Sequence, residues 1–125
     1  MIQTQSIVKI VDNSGAQWGQ CIRVLGKPTN ATATIGDLII ISIKKARPLK
    51  KAKKKDIWTA IIVRTAKEKS RISGTQIRFN ENACVLVESK INPEPIGTRL
   101  FGPIPGIELR KAKQAKCLLL ARKVV

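Results

Sequence analysis

The tract from Ala60 to Leu86 constrains the fold of this chain more than any other, because it reads as one complete β-hairpin cassette with basic residues around its reversal. Ala60-Ile61-Ile62-Val63 is a short apolar run, a charge-rich stretch follows, and Ser73-Gly74, Phe79, Asn82 and Val85-Leu86 then stand at fixed offsets. Isoleucine and valine suit a pleated, half-buried strand. Ser-Gly supplies the positive-φ site that a tight reversal needs, and Phe79 anchors the return strand. Arg64, Lys67, Lys69, Arg71 and Arg78 surround the reversal with only Glu68 among them, so the hairpin is predicted to carry a cationic tip.

The rest of the chain reads as short strands separated by turn chemistry. Ser6 to Val11 is closed by Asp12-Asn13-Ser14-Gly15, and Gln20 to Leu25 by Gly26 and Pro28; Lys27 to Thr34 is small and polar, a loop. Gly36-Asp37 launches Leu38 to Lys45, whose Ile39, Ile41 and Ile43 share one face; Leu38 and Ile40 make its start apolar on both, as in a closed barrel. Asp56 to Thr65 puts Trp58, Ala60 and Ile62 on one face, and Ala83 to Glu88 follows the hairpin. Five or six such strands without a βαβ rhythm predict a mainly β fold: a small closed five-stranded antiparallel β-barrel with a protruding β-hairpin. Toward the C-terminus, Asn92-Pro93-Glu94-Pro95 and Gly102-Pro103-Ile104-Pro105-Gly106 interrupt regular structure and leave Thr98 to Phe101 as a short extended piece. Good helix formers then predict one short helix at about residues 106–116, with Glu108 and Lys116 placed as the helix dipole prefers. Cys117 to Ala121 is a final apolar strand or helical turn.

A length of 125 residues is one domain's worth, here residues 1–125, and enough for a core without metal or disulfide staples. The 24 Lys and Arg against 8 Asp and Glu give a net charge of +16 and a pI near 10.5. Such an excess on one small domain favours a polyanionic partner, and nucleic acid is the default. No apolar run approaches membrane-spanning length, no long basic amphipathic helix is present, and no signal or transit peptide is visible, so no membrane partner is expected. Cys21, Cys84 and Cys117 are odd in number, far apart and embedded in apolar runs, as free cysteines in a reducing compartment are. With no Cys-x-x-Cys and no histidine, a zinc site is not expected, and the commonest general base is missing. No cofactor is expected either. The acids are scattered without a convincing general acid/base pair, so the chain does not read as an enzyme.

The basic constellations carry the chemistry. Lys44, Lys45, Arg47, Lys50, Lys51, Lys53, Lys54 and Lys55 form an acid-free stretch that Pro48 keeps from becoming a helix. Such a run is most often a solvated or disordered loop. Here it is held between two strong strands, the Ser73-Gly74 turn is cationic too, and Arg110, Lys111, Lys113 and Lys116 repeat the bias in the tail. Phosphate contact is the economical explanation: lysine serves as a point charge, and arginines such as Arg64, Arg78 and Arg99 can form bidentate contacts. Trp58 and Phe79 lie in core-like contexts. Trp18, in the turn from Gly15 to Gly19, is open either to burial or to exposure with a stacking or partner contact. Asp12-Asn13-Ser14-Gly15 reads as an Asx-type turn rather than a catalytic or metal site. Recognition is therefore expected to read the shape and backbone of folded RNA. A free single-stranded nucleic-acid-binding barrel of OB type is the alternative, and exposed aromatics on a strand face would favour it.

Six stretches in order also resemble one family: Val11 to Ala16; Cys21 to Gly26; Gly36-Asp37; Val63-Arg64-Thr65 with Ile77-Arg78-Phe79 and Asn82-Ala83; Pro95 to Pro103; and Glu108-Leu109-Arg110. Together with the apolar(4)-x9-Ser-Gly-x4-Phe-x2-Asn-x2-Val-Leu spacing, they resemble the uL14 family of universal large-subunit ribosomal proteins, bacterial or organellar branch. The resemblance implies a five-stranded barrel with a protruding β-ribbon and C-terminal helical elements. It implies binding to large-subunit rRNA, contact with small-subunit rRNA in an intersubunit bridge, and packing beside large-subunit proteins three and nineteen. By the same resemblance, Ser14 and Gly15 are expected to make backbone-mediated phosphate contacts; on their charge and place around the hairpin, Arg64, Arg71 and Arg78 are expected to bind RNA with the basic loop. Thr98, Arg99, Arg110 and Lys113 are expected at the protein and subunit interface; the surface near Thr98-Arg99 and the tail, with Lys113, is similar to the one that in that branch receives a ribosome-silencing factor. The lysine- and isoleucine-rich composition without tyrosine or histidine suggests an organelle-encoded or AT-rich bacterial gene; the divergent turn residues lean to a mitochondrial ribosome.

Overall fold

A computed structural model describes residues 1–28, 31–48, 50–91 and 93–125. Parts of three predicted loops, residues 29–30, 49 and 92, lie outside them. The strands are β1 (Ile7–Ile10), β2 (Ala16–Val24), β3 (Leu38–Ala46), β4 (Ile57–Arg64), β5 (Lys69–Ser70), β6 (Gln76–Ile77), β7 (Ala83–Val87), β8 (Leu100–Ile104) and β9 (Ala121–Val124), with helices α1 (Gly106–Lys111) and α2 (Ala115–Leu120) between β8 and β9. Strands β1, β2, β3, β4 and β7 close into a five-stranded barrel. One seam departs from the all-antiparallel expectation, because β1 and β7 pair in parallel. The reason is parity: strand direction cannot alternate all the way around a ring with an odd number of members.

The apolar runs make both surfaces of the barrel wall. Val8, Ile10, Cys21, Ile39, Ile41, Ile43, Ala60, Ile62, Cys84 and Leu86 share the interior cluster, with Trp58 packed against it. The alternate residues Ile61, Val63, Ala83, Val85 and Val87 join Leu100, Ile104, Leu109 and Cys117 in a second layer, which Phe79 also contacts. A strand buried on both faces reads as a continuous apolar run rather than an alternating one. This explains why all five residues of β7 are buried. All three cysteines are buried and unpaired; burial pushes the Cys117 thiol up to about 11 and Cys84 higher still.

The hairpin is a short ribbon, β5 against β6, reversed at Gly74 (φ +87°). At the C-terminus the single predicted helix is instead two. The Lys113 amide donates to the Arg110 carbonyl (3.1 Å) and the Gln114 amide to the Leu109 carbonyl (2.8 Å), and Lys113 has φ +62°. This is the Schellman arrangement, with lysine where glycine is usual, so the ordinary stop signal was missing from the sequence. Cys117 belongs to α2, and the chain then returns as β9, parallel to β8.

Candidate nucleic-acid interface

The turn after β1 is built around one carboxylate. Asp12 Oδ1 accepts from the Ser14 amide (3.2 Å) and hydroxyl (2.5 Å), and Oδ2 accepts from the Leu86 amide (3.1 Å). Burial raises the Asp12 carboxyl above its ordinary value, and these bonds partly oppose that. The predicted Asx turn is therefore present. It also clamps the basic segment, since the Ser14 carbonyl accepts from the Ala52 amide (3.1 Å) and the Gly15 carbonyl from the Arg47 amide (2.8 Å). Gly15 has φ +102°, and a side chain there would overlap the Lys50 stem. Ser14 and Gly15 were expected to touch phosphate through their backbone. Both are buried, the two Ser14 donors are turned to Asp12, and both carbonyls hold the loop.

The described part of the Lys44 to Lys55 segment is thus a folded loop. Lys44 and Lys45 extend β3, Ala52 is fully buried, and the loop closes through Lys55 N–H to the Ile43 carbonyl (2.8 Å) and Lys53 N–H to Asp56 Oδ2 (3.0 Å). Arg47, Lys50, Lys51, Lys53, Lys54 and Lys55 are exposed with Lys44 and Lys45. Among the described residues none of these eight forms an ion pair; the pairs use Lys9, Lys27, Arg64, Arg71 and Lys116. A backbone-fixed loop of unpaired cations is suited to an extended polyanion.

The arginines of the hairpin divide. Arg78 is exposed. Arg64 is 6% exposed, fills the space beside Gly102 and pairs with Glu81 at 3.2 Å; burial lowers its pKa and Glu81 opposes the shift. Its Nε has no hydrogen-bond partner among the described residues. Arg71 makes a two-pronged contact with Glu108, Nε to Oε1 at 2.7 Å and Nη2 to Oε2 at 3.2 Å, and Nη2 also donates to the Val125 carbonyl (3.0 Å). Burial alone would raise the Glu108 carboxyl; the Arg71 hydrogen bonds, its own amide and the nearby cations outweigh that and hold it below its ordinary value. Arg64 and Arg71, expected to face RNA, are thus engaged inside the protein, and Arg71 ties the ribbon to α1.

Thr98 and Arg99 are exposed on the piece before β8, and Arg110 and Lys113 are exposed on and after α1. What fixes Thr98 and Arg99 is Asn13, to which the sequence alone assigned no role. Its Oδ1 accepts from the amides of Thr98 (2.8 Å) and Arg99 (3.3 Å), and its Nδ2 donates to Thr98 Oγ1 (2.8 Å). The same turn therefore holds the basic loop on one side and the Thr98–Arg99 piece on the other. Trp18 is not in a turn: it lies within β2 and is 41% exposed. Compared with known protein families, the model described as Ribosomal protein L14p/L23e matches residues 1–125, the whole chain.

Proposed function

The chain belongs to the ribosomal protein L14p/L23e family, and from that premise we propose that it binds large-subunit rRNA through the Lys44 to Lys55 loop and Arg78. The family's role is structural within the large ribosomal subunit, not enzymatic. The observation that carries the RNA reading is the loop itself: eight exposed cations that form no ion pair among the described residues, on a backbone that the Asp12 turn pins down. Phosphate contacts of this kind position a protein on its RNA. In this reading Thr98, Arg99, Arg110 and Lys113 face outward at the subunit interface, toward small-subunit rRNA in a bridge or a ribosome-silencing factor. Large-subunit proteins three and nineteen are its neighbours. The ribosome is proposed to be mitochondrial, on composition and divergent turns alone.

Sucrose-gradient sedimentation tests the reading. The wild-type chain is expected in assembled large subunits. Replacing Lys50, Lys51, Lys53, Lys54 and Lys55 together by glutamine is expected to reduce incorporation while leaving the melting temperature nearly unchanged, since exposed unpaired charges contribute little to stability. Full incorporation of that variant overturns the loop assignment. Arg99→Ala with Lys113→Ala is expected to leave the large subunit intact and impair subunit joining or factor capture. Normal joining with normal capture sinks the interface assignment.

A further inference from the structure

A cleft of about 480 Å³ opens beside the Asp12 turn, and among the residues lining it are Lys9, Trp18, Arg47, Lys50 and Phe101. Both aromatics are turned to solvent, Trp18 at 41% and Phe101 at 56% exposure. Trp18 is flanked in register by Lys9 on β1 and by Lys45 on β3, so the indole stands in a row of cations across the outside of the barrel. The β2/β3 register shifts on either side of Trp18, and such irregularities re-aim side chains. Asp12 also lines the cleft, but its carboxylate is buried and occupied by three donors. The Lys9 charge is shared with Glu81 at 3.5 Å, an exposed pair that an incoming phosphate can replace.

Two exposed aromatics with cations at the rim match what an unstacked base and its flanking phosphates need: an apolar platform for the π-face and positive charge for the backbone. The volume lies in the range of small-ligand sites, and a duplex does not enter it. We propose that this cleft receives one unpaired nucleotide of RNA, its base packed on Trp18 and Phe101 and its phosphates met by Lys9, Arg47 and Lys50. The site rests on the rRNA-binding reading and deepens it: the loop grips folded RNA by its backbone, and the cleft selects a place where one base is extruded.

The test uses the full chain and two stem-loop RNAs identical except at one bulged position, adenosine in one and an abasic residue in the other. The wild type is expected to bind the adenosine form about tenfold more tightly, with quenching of tryptophan emission. Trp18→Ala is expected to abolish that preference while both RNAs still bind with steep salt dependence. Trp18→Phe, which keeps an aromatic platform, is expected to retain most of it. Equal binding of the two RNAs by the wild type, an undiminished preference in Trp18→Ala, or equal quenching by polyglutamate overturns the nucleotide site. Failure of either RNA to bind at low salt would instead overturn the rRNA-binding reading beneath it.

Discussion

Removing the Asp12 carboxylate would strand three donors at once, the amides of Ser14 and Leu86 and the Ser14 hydroxyl. A buried donor left without an acceptor costs about 1–3 kcal/mol. The hydroxyl can rotate to another acceptor, so Asp12→Ala is expected to lower stability by about 3 kcal/mol, read from urea unfolding. Asp12→Asn keeps one acceptor but turns an amide donor toward another donor, and it is expected to fall short of the wild type as well. Unfolding indistinguishable from wild type in both variants would mean that these bonds contribute nothing. A carboxyl raised in the folded state favours its protonated form there, so Asp12 ionisation removes stability as pH climbs above the ordinary carboxylate value. The acid motif was legible in Asp12-Asn13-Ser14-Gly15 as a turn; the reach of Asp12 to Leu86, and of Asn13 to Thr98 and Arg99, was not. Each partner lies more than seventy residues away along the chain.

Between elements, the Arg71–Glu108 contact docks the β5–β6 ribbon on α1. The side chains are 17% and 5% exposed. Removing one member of a mostly buried pair leaves the other charge uncompensated, so Arg71→Gln is expected to cost about 3 kcal/mol and to speed amide exchange in both the ribbon and α1. Glu108 is depressed in the folded state, opposite to Asp12. Its contribution is fully present above the unfolded carboxylate value and is lost as pH falls through the lower folded value. Stability measured from neutral pH downward should therefore lose this component in wild type, whereas Glu108→Gln should lack it. Identical acid profiles would count against the docking role. Nothing in the local sequence announced the pair: Arg71 reads as one more cation beside a turn, and Glu108 as a residue favouring a helix start. The break between α1 and α2 was hidden in the same way, because Lys113 carries the left-handed conformation that a glycine would have advertised.

At the scale of the molecule, the five ion pairs among the described residues engage only five of the 24 lysines and arginines. If the loop and its neighbours neutralise roughly six to ten phosphates, RNA affinity should fall by about 10³ to 10⁵ between 50 and 200 mM salt. Filter binding across that range checks it, and a flat response would remove the electrostatic basis of the interface.

What the sequence determined by itself is whatever depends on neighbours along the chain or on totals. Alternation in Leu38 to Lys45 marked the interior of the barrel, Leu38 and Ile40 marked a strand start apolar on both faces, Ser73-Gly74 marked the reversal, and the charge excess marked a polyanionic partner. What only the tertiary structure decided is the fate of individual groups. It paired β1 with β7 in parallel, buried Arg64 beside Gly102, gave Arg71 to Glu108, turned Ser14 and Gly15 into a clamp, and left Trp18 and Phe101 exposed on one cleft. Backbone preference and apolar periodicity are short-range, so a sequence displays them directly. Whether a charge is free or an aromatic is covered depends on which distant segments the closed barrel brings alongside it.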